Sequence, residues 1–183
     1  MRLCLDACVL FPTVLRELLL GVAKTGAFRP IWSERILEEW ARAARKLGPT
    51  GEPQVRAEIV LVRADWPEAS VEPRATDMAR LWLPDENDVH VLGAAIAGSA
   101  DGIVTFNAKD FPRNTLADEG LIRFSPDQVL LDHWRTDPAA VASVVQTVHQ
   151  TACTLSGEHL EMRQMLKRAR VPRLGKALSR TGS

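Results

Sequence analysis

Apolar positions along the chain follow two rhythms, one of short runs and one of helical stripes. Leu3 and Leu5 frame a short run over residues 2–6, and residues 28–32, 102–105 and 121–124 make three more. Runs of this length bounded by polar or turn residues predict strands. Between them lie stretches with apolar residues three and four apart, at 14–23, 34–47, 52–62 and 89–97. That spacing predicts helices. A further helix is expected near 76–83, before Pro84. Ser33 stands where an N-cap hydroxyl can accept an orphan backbone N–H. Gly26, Gly48-Pro49, Trp66-Pro67 and Gly98 supply the stops. Ser125-Pro126 and Asp137-Pro138 open two last helical tracts, the second running to about residue 155. Strands separated by helices indicate an α/β fold with a parallel sheet. The pattern places a boundary near Asp137-Pro138, with an α/β domain over 1–136 and a helical extension over 137–183.

The 183 residues suffice for one sizeable core and a short addition. Apolar residues make up 46% and charged residues 25%, which is ordinary for a globular chain. Cys4, Cys8 and Cys153 form no CxxC pair, which argues against a zinc site and fits a reducing cytoplasm. Asp6 comes too early for a secretory leader, and no apolar stretch is long enough to span a bilayer. The net charge of zero hides a division: residues 158–183 carry seven Lys or Arg against two Glu, a balance of +5, and residues 1–157 carry −5. Arg163, Lys167 and Arg170 recur at helical spacing in this basic segment. They are candidate contacts for an RNA backbone or for an acidic partner, and a solvated helix face is the alternative.

The acids cluster by position. Parallel sheets bind ligands beyond the carboxyl ends of their strands. Asp6 ends the first strand, and Asn107 and Asp110 follow the third. On the helix over 34–47, Glu39 lies at the flank of the apolar stripe, whereas Glu34 and Glu38 project toward solvent. Asp88 shares the apolar face at the start of the helix over 89–97, and Asp85 is placed to cap it. His90 projects away from that apolar face, as a solvated side chain or a contact to phosphate. Asp6, Glu39, Asp88 and Asp110 can therefore converge. Two carboxylates about 4 Å apart repel by roughly 4 kcal/mol at an effective dielectric near 20, so such a group calls for a cation. Oxygen ligands select a hard ion, magnesium or manganese. A hydrated ion of this kind can polarise a phosphoryl oxygen and acidify water, the chemistry of phosphodiester hydrolysis.

Four stretches carry a family resemblance. They are Leu3-Cys4-Leu5-Asp6-Ala7-Cys8-Val9-Leu10, Ser33-Glu34-Arg35-Ile36-Leu37-Glu38-Glu39-Trp40, Leu83-Pro84-Asp85-Glu86-Asn87-Asp88-Val89-His90-Val91-Leu92 followed by Ala94-Ala95, and Asp101-Gly102-Ile103-Val104-Thr105-Phe106-Asn107-Ala108-Lys109-Asp110-Phe111-Pro112. The chain resembles the PIN-domain family and its VapC-type toxin ribonucleases, over about residues 2–126. The resemblance implies a three-layer α/β/α fold with a central parallel sheet. It implies a magnesium- or manganese-dependent endoribonuclease, the toxin of a type II toxin-antitoxin system. The substrate would be an RNA such as tRNA or rRNA, and the partners a cognate antitoxin and a second copy in a homodimer. Asp6, Glu39 and Asp88 carry over as metal ligands. Many relatives have Asp where Asn107 stands, so Asp110 is expected to supply the missing charge, with Thr105, Asn107 and Asp85 supporting the pocket. A competing expectation is a non-catalytic module that holds RNA or protein. A phosphatase of the Asp-x-Asp kind would need an acid at position 8, where Cys8 stands.

Overall fold

The computed structural model describes residues 1–181. In chain order the elements are β1 (Arg2–Leu5), α1 (Ala7–Leu10), α2 (Thr13–Lys24), β2 (Arg29–Ile31), α3 (Glu34–Ala43), α4 (Gly51–Asp65), α5 (Ala75–Met78), α6 (Val89–Ala97), β3 (Gly102–Val104), α7 (Arg113–Asp118), β4 (Ile122–Phe124), α8 (Pro126–Thr136), α9 (Pro138–Ser156), α10 (Met162–Arg168) and α11 (Pro172–Thr181). The fold is α/β, with a four-stranded sheet flanked by helices and further helices at the C-terminal end. Every strand pair is parallel, in the order β2-β1-β3-β4.

The described residues form two compact units, one of residues 1–11 and 29–124, the other of 12–28 and the chain from 125 onward. This differs from the boundary expected near 137, because α2 and α8 group with the C-terminal helices. The apolar side of α2 meets α8 and α9, an interaction that crosses more than a hundred residues of chain and leaves no mark at Asp137-Pro138.

The first unit holds the sheet. Leu3, Cys4 and Leu5 of β1 are fully buried, as are Ile103 and Val104 of β3. A strand enclosed on both faces reads as a continuous apolar run, which is why these segments lack polar alternation. Gly102 permits the close approach of β4, since a Cβ there would stand 2.3 Å from the Ile122 carbonyl oxygen. Ser33 caps α3 as expected, its hydroxyl accepting from the Ile36 N–H at 3.4 Å. The helix expected over 34–47 ends at Ala43 and tightens into a 3-10 turn over Ala44–Leu47. The helix expected over 76–83 is only the single turn of α5. Residues 79–85 run on as irregular backbone toward Pro84, the residue before which a helical conformation is disfavoured. Two short helices, α1 and α7, have too few residues to show a period and were not expected.

Glu38 is open to solvent as expected, with 34% of its side chain exposed, but it is ion-paired with Arg42 (2.9 Å) and with Arg56 of α4 (2.9 Å). Arg56 also reaches Glu52 (2.6 Å), which Arg45 holds from the other side at 2.5 Å. A helical projection sees one helix at a time and cannot see that α4 covers the flank of α3.

The second unit is helical. Ser125 caps α8 and Asp137 caps α9 through the N–H groups of Gln128 and Ala140. Buried Asp127 accepts the N–H groups of Arg173 and Leu174, each at 3.0 Å, and so closes the first turn of α11. Phe28 stacks on His133, with ring centroids 5.7 Å apart. Gly21 lies under Val144, where a Cβ would fall 2.6 Å from Cγ1. Among the described residues no helix is long and apolar enough to cross a membrane.

Candidate metal centre

The strand order reverses direction at β1, whose neighbours β2 and β3 lie on opposite sides. Such a switch point opens a crevice beyond the carboxyl ends of the two central strands. The register pairs Leu5 with Val104, so the next residues, Asp6 and Thr105, emerge side by side. Asp6 caps α1 through the Cys8 N–H and is 6% exposed. Thr105 donates its hydroxyl to Asp6 Oδ2 at 2.6 Å. The same Thr105 oxygen accepts the Asn107 N–H at 2.9 Å, and the Asn107 amide donates to Asp88 Oδ2 at 3.1 Å. Asp6 and Asp88, 82 positions apart in the chain, are thereby joined by one line of hydrogen bonds.

Asp88 ends the 3-10 turn over Glu86–Asp88 that leads into α6, leaves the α6 N–H groups uncapped by its side chain, and is the focus of the charges. Its carboxyl is pushed up to about 6, first by partial burial and then by the negative charges of Asp6, Asp85, Asp110 and Glu39. Oxygens of Asp85, Asp88 and Asp110 all lie within 4.8 Å of one another. Asp85 also accepts the N–H and the side-chain amide of Asn87, at 2.9 and 3.0 Å. It therefore caps the 3-10 turn over Glu86–Asp88 that precedes α6, rather than α6 itself as expected, and also belongs to the acidic group. Asp110 stands in the turn after β3. Asp6 and Glu39 add their fields from outside the tight trio.

Glu39 is oriented by two cationic or ionisable neighbours. Arg35 lies 3.5 Å from its Oε1, and His90 Nε2 lies 2.8 Å from the same oxygen. His90 corrects the expectation of a solvated side chain, being only 3% exposed. The projection failed because α6 is buried almost all round: His90, Val91, Leu92, Gly93, Ala94 and Ala95 are all buried, so the side opposite the sheet is covered too. The His90 contact with Glu39 lacks hydrogen-bond alignment, and its Nδ1 has no hydrogen-bond partner among the described residues.

Cys8 is the neighbour that sequence inspection missed. Its thiol donates to Asp6 Oδ2 at 3.0 Å and its sulfur accepts the Phe106 N–H at 3.3 Å. Burial first, then Asp6, pushes the thiol up to about 12, so it stands as a neutral donor at pH 7. The signal was present in the spacing, since a residue two beyond an N-cap acid returns toward that acid's side chain.

The donors facing the cluster are carboxylate oxygens, and this set fits a hard divalent cation. The upward pressure on Asp88 comes first from partial burial and then from the surrounding carboxylates, and a cation among them would offset both. Arg163 and Lys167 lie exposed on α10. Arg170 does not continue their line, because α10 ends at Arg168 and Arg170 adopts a left-handed φ of 63°.

A family model described as PIN domain matches residues 2–109. No curated protein and no solved structure matches the chain. The matched stretch runs from β1 through the turn bearing Asn107 and takes in Asp6, Glu39, Asp85 and Asp88. It covers more than half of the chain, and the protein belongs to the PIN-domain family.

Proposed function

We propose that the protein is an endoribonuclease that hydrolyses RNA phosphodiester bonds with magnesium or manganese. The observation that carries this is the convergence of Asp6, Glu39, Asp85 and Asp110 on Asp88. A non-catalytic scaffold has no use for such repulsion, whereas a phosphodiesterase needs it to hold a cation. Asp85, Asp88 and Asp110 would hold the ion most directly, with Asp6 and Glu39 completing the negative field. When bound, the ion supplies positive charge to the phosphoryl oxygens and acidity to water at the site.

The chain's own groups do the rest. Thr105 fixes the rotamer of Asp6, and Cys8 donates to the same oxygen. Asn107 ties the β3 turn to Asp88 and contributes an amide in place of a fourth acid. His90 and Arg35 hold Glu39 on the side facing α6. Outer groups of this kind set ligand orientation and affinity. As the VapC resemblance implies, the chain would act as the toxin of a toxin-antitoxin pair, countered by a cognate antitoxin and paired with a second copy.

The decisive test is sequencing of RNA 5′ ends after induced expression of the wild type and of Asp88→Asn. New ends confined to the wild type, reproduced with purified protein and Mn²⁺ and stopped by EDTA, are expected. Equal cleavage by Asp88→Asn would end the proposal, and RNA binding without cleavage would favour the scaffold alternative.

A further inference from the structure

The helical unit contains a second feature that the acidic centre does not use. A cavity of about 490 Å³ opens where α8 and α11 meet, lined by Leu131, Trp134, Arg135, Arg173, Lys176, Ala177 and Arg180. At about 100° per residue, Arg173, Lys176 and Arg180 fall within one narrow stripe of α11, and Leu131, Trp134 and Arg135 share one face of α8. Four cations therefore rim a pocket whose lining contains no acid. Arg135 is held by Asp132 at 3.0 Å, and Arg173 by the Gln128 side-chain oxygen at 3.2 Å. Lys176 and Arg180 have no ion-pair partner among the described residues. Trp134 is half-buried and lines the cavity beside these cations.

Asp127 fixes this geometry. By accepting the first two N–H groups of α11, it locks the register in which Arg173, Lys176 and Arg180 face α8. The cations are thus set on rigid helices. Unpaired like charges held together repel one another, and an anionic ligand removes that cost.

We infer that this cavity binds the backbone of single-stranded RNA, with phosphates against Lys176, Arg180 and Arg173 and an unstacked base on Trp134. The inference rests on the reading of the chain as one that acts on RNA. Cations interleaved with an aromatic face are the recurring device for single strands, because every base has a π-face and every nucleotide a phosphate. A double helix would offer its bases stacked and out of reach of a recessed indole. An acidic peptide would satisfy the cations and leave the indole without a role.

The test is fluorescence anisotropy of a labelled 12-nucleotide oligouridylate on the full chain in EDTA, at salt concentrations from 50 to 200 mM. Three variants are compared with the wild type: Lys176→Glu/Arg180→Glu, Trp134→Leu, and Arg163→Glu/Lys167→Glu. The last makes the same charge change on exposed α10. The pocket double variant should lose at least tenfold in affinity and flatten the salt slope by about 1.4, given roughly 0.7 for each of the two phosphate contacts removed on a single strand. Trp134→Leu should lose at least fivefold, and RNA should quench the tryptophan emission of the wild type more than that of Trp134→Leu, which keeps the other four tryptophans. The α10 pair should lose less than threefold. Equal losses from the two double variants, no RNA binding by the wild type, or equal competition by a polyglutamate peptide of matched charge would each overturn the inference. Absence of Mn²⁺-dependent cleavage by the wild type, with these binding differences intact, would instead overturn the nuclease proposal and leave the pocket standing.

Discussion

The Thr105 hydroxyl lies between Asp6 and the turn that follows β3, donating to Asp6 Oδ2 at 2.6 Å and accepting the Asn107 N–H at 2.9 Å. One side chain thus sets the direction of a buried carboxylate and the course of the loop that carries Asn107 and Asp110. The arrangement exists because β1 and β3 are adjacent and in register, so that their first residues past the sheet are neighbours.

Replacing Thr105 with Val keeps the shape and removes both hydrogen bonds. Mn²⁺ affinity, read by calorimetry, should fall about 10–100-fold, the usual effect of losing a group that orients a metal ligand. Thr105→Ser should restore most of it. If Val binds Mn²⁺ as well as Thr, Asp6 does not depend on this contact.

Asp88 gives a prediction with a definite sign. Its folded-state carboxyl is raised from 3.8 to about 6, so folding favours the protonated form. In the metal-free protein, stability should decline as pH rises from about 4 through 6. Asp88→Asn should remove that decline. At pH 7.5 the metal-free variant should melt above the wild type by about 2–4 °C, corresponding to about 1 kcal/mol once solvent screening of a half-exposed group is allowed for. Adding Mn²⁺ should raise the melting temperature of the wild type and leave Asp88→Asn unmoved. Thermal melts at several pH values, with and without Mn²⁺, decide the matter.

The network around Arg56 should behave in the opposite way. Glu52 is held down to about 2 by Arg45 and then Arg56, and Glu38 is lowered by Arg56 and then Arg42. A depressed carboxyl contributes stability above its unfolded value near 4.5, lost as pH falls through the folded one. Arg56→Ala should therefore melt below the wild type at pH 6. The gap should narrow from pH 4.5 toward 2, and 0.5 M salt should shrink it at every pH. A gap that is constant with pH would show that Arg56 acts through packing of its stem.

Gly102 tests the sheet directly. A Cβ there would meet the Ile122 carbonyl at 2.3 Å and the Phe124 ring at 2.6 Å. Gly102→Ala should cost about 1–3 kcal/mol by forcing β3 and β4 apart, seen as a lower urea midpoint. Unchanged unfolding would mean that β4 shifts freely.

Much of the fold and of the centre could be read from residue order, because the relevant signals are local. A run such as Leu3-Cys4-Leu5, a hydroxyl such as Ser33 before a stripe, and a Gly or Pro stop act within a few residues of themselves. Asp6, Asp88 and Asp110 stand out as candidates because each follows a strand or opens a helix, and Glu39 because it flanks the apolar stripe of α3. What tertiary structure alone decided was everything that depends on which element covers which. His90 is buried against Glu39 because α6 is enclosed on both sides. Glu38 faces Arg56 because α4 lies along α3. Asp85 joins the cation-ready trio, Cys8 donates to Asp6, and Arg135 meets Lys176 and Arg180 around Trp134. Burial and electrostatic pressure arise from neighbours distant along the chain, and local periodicity carries no term for them.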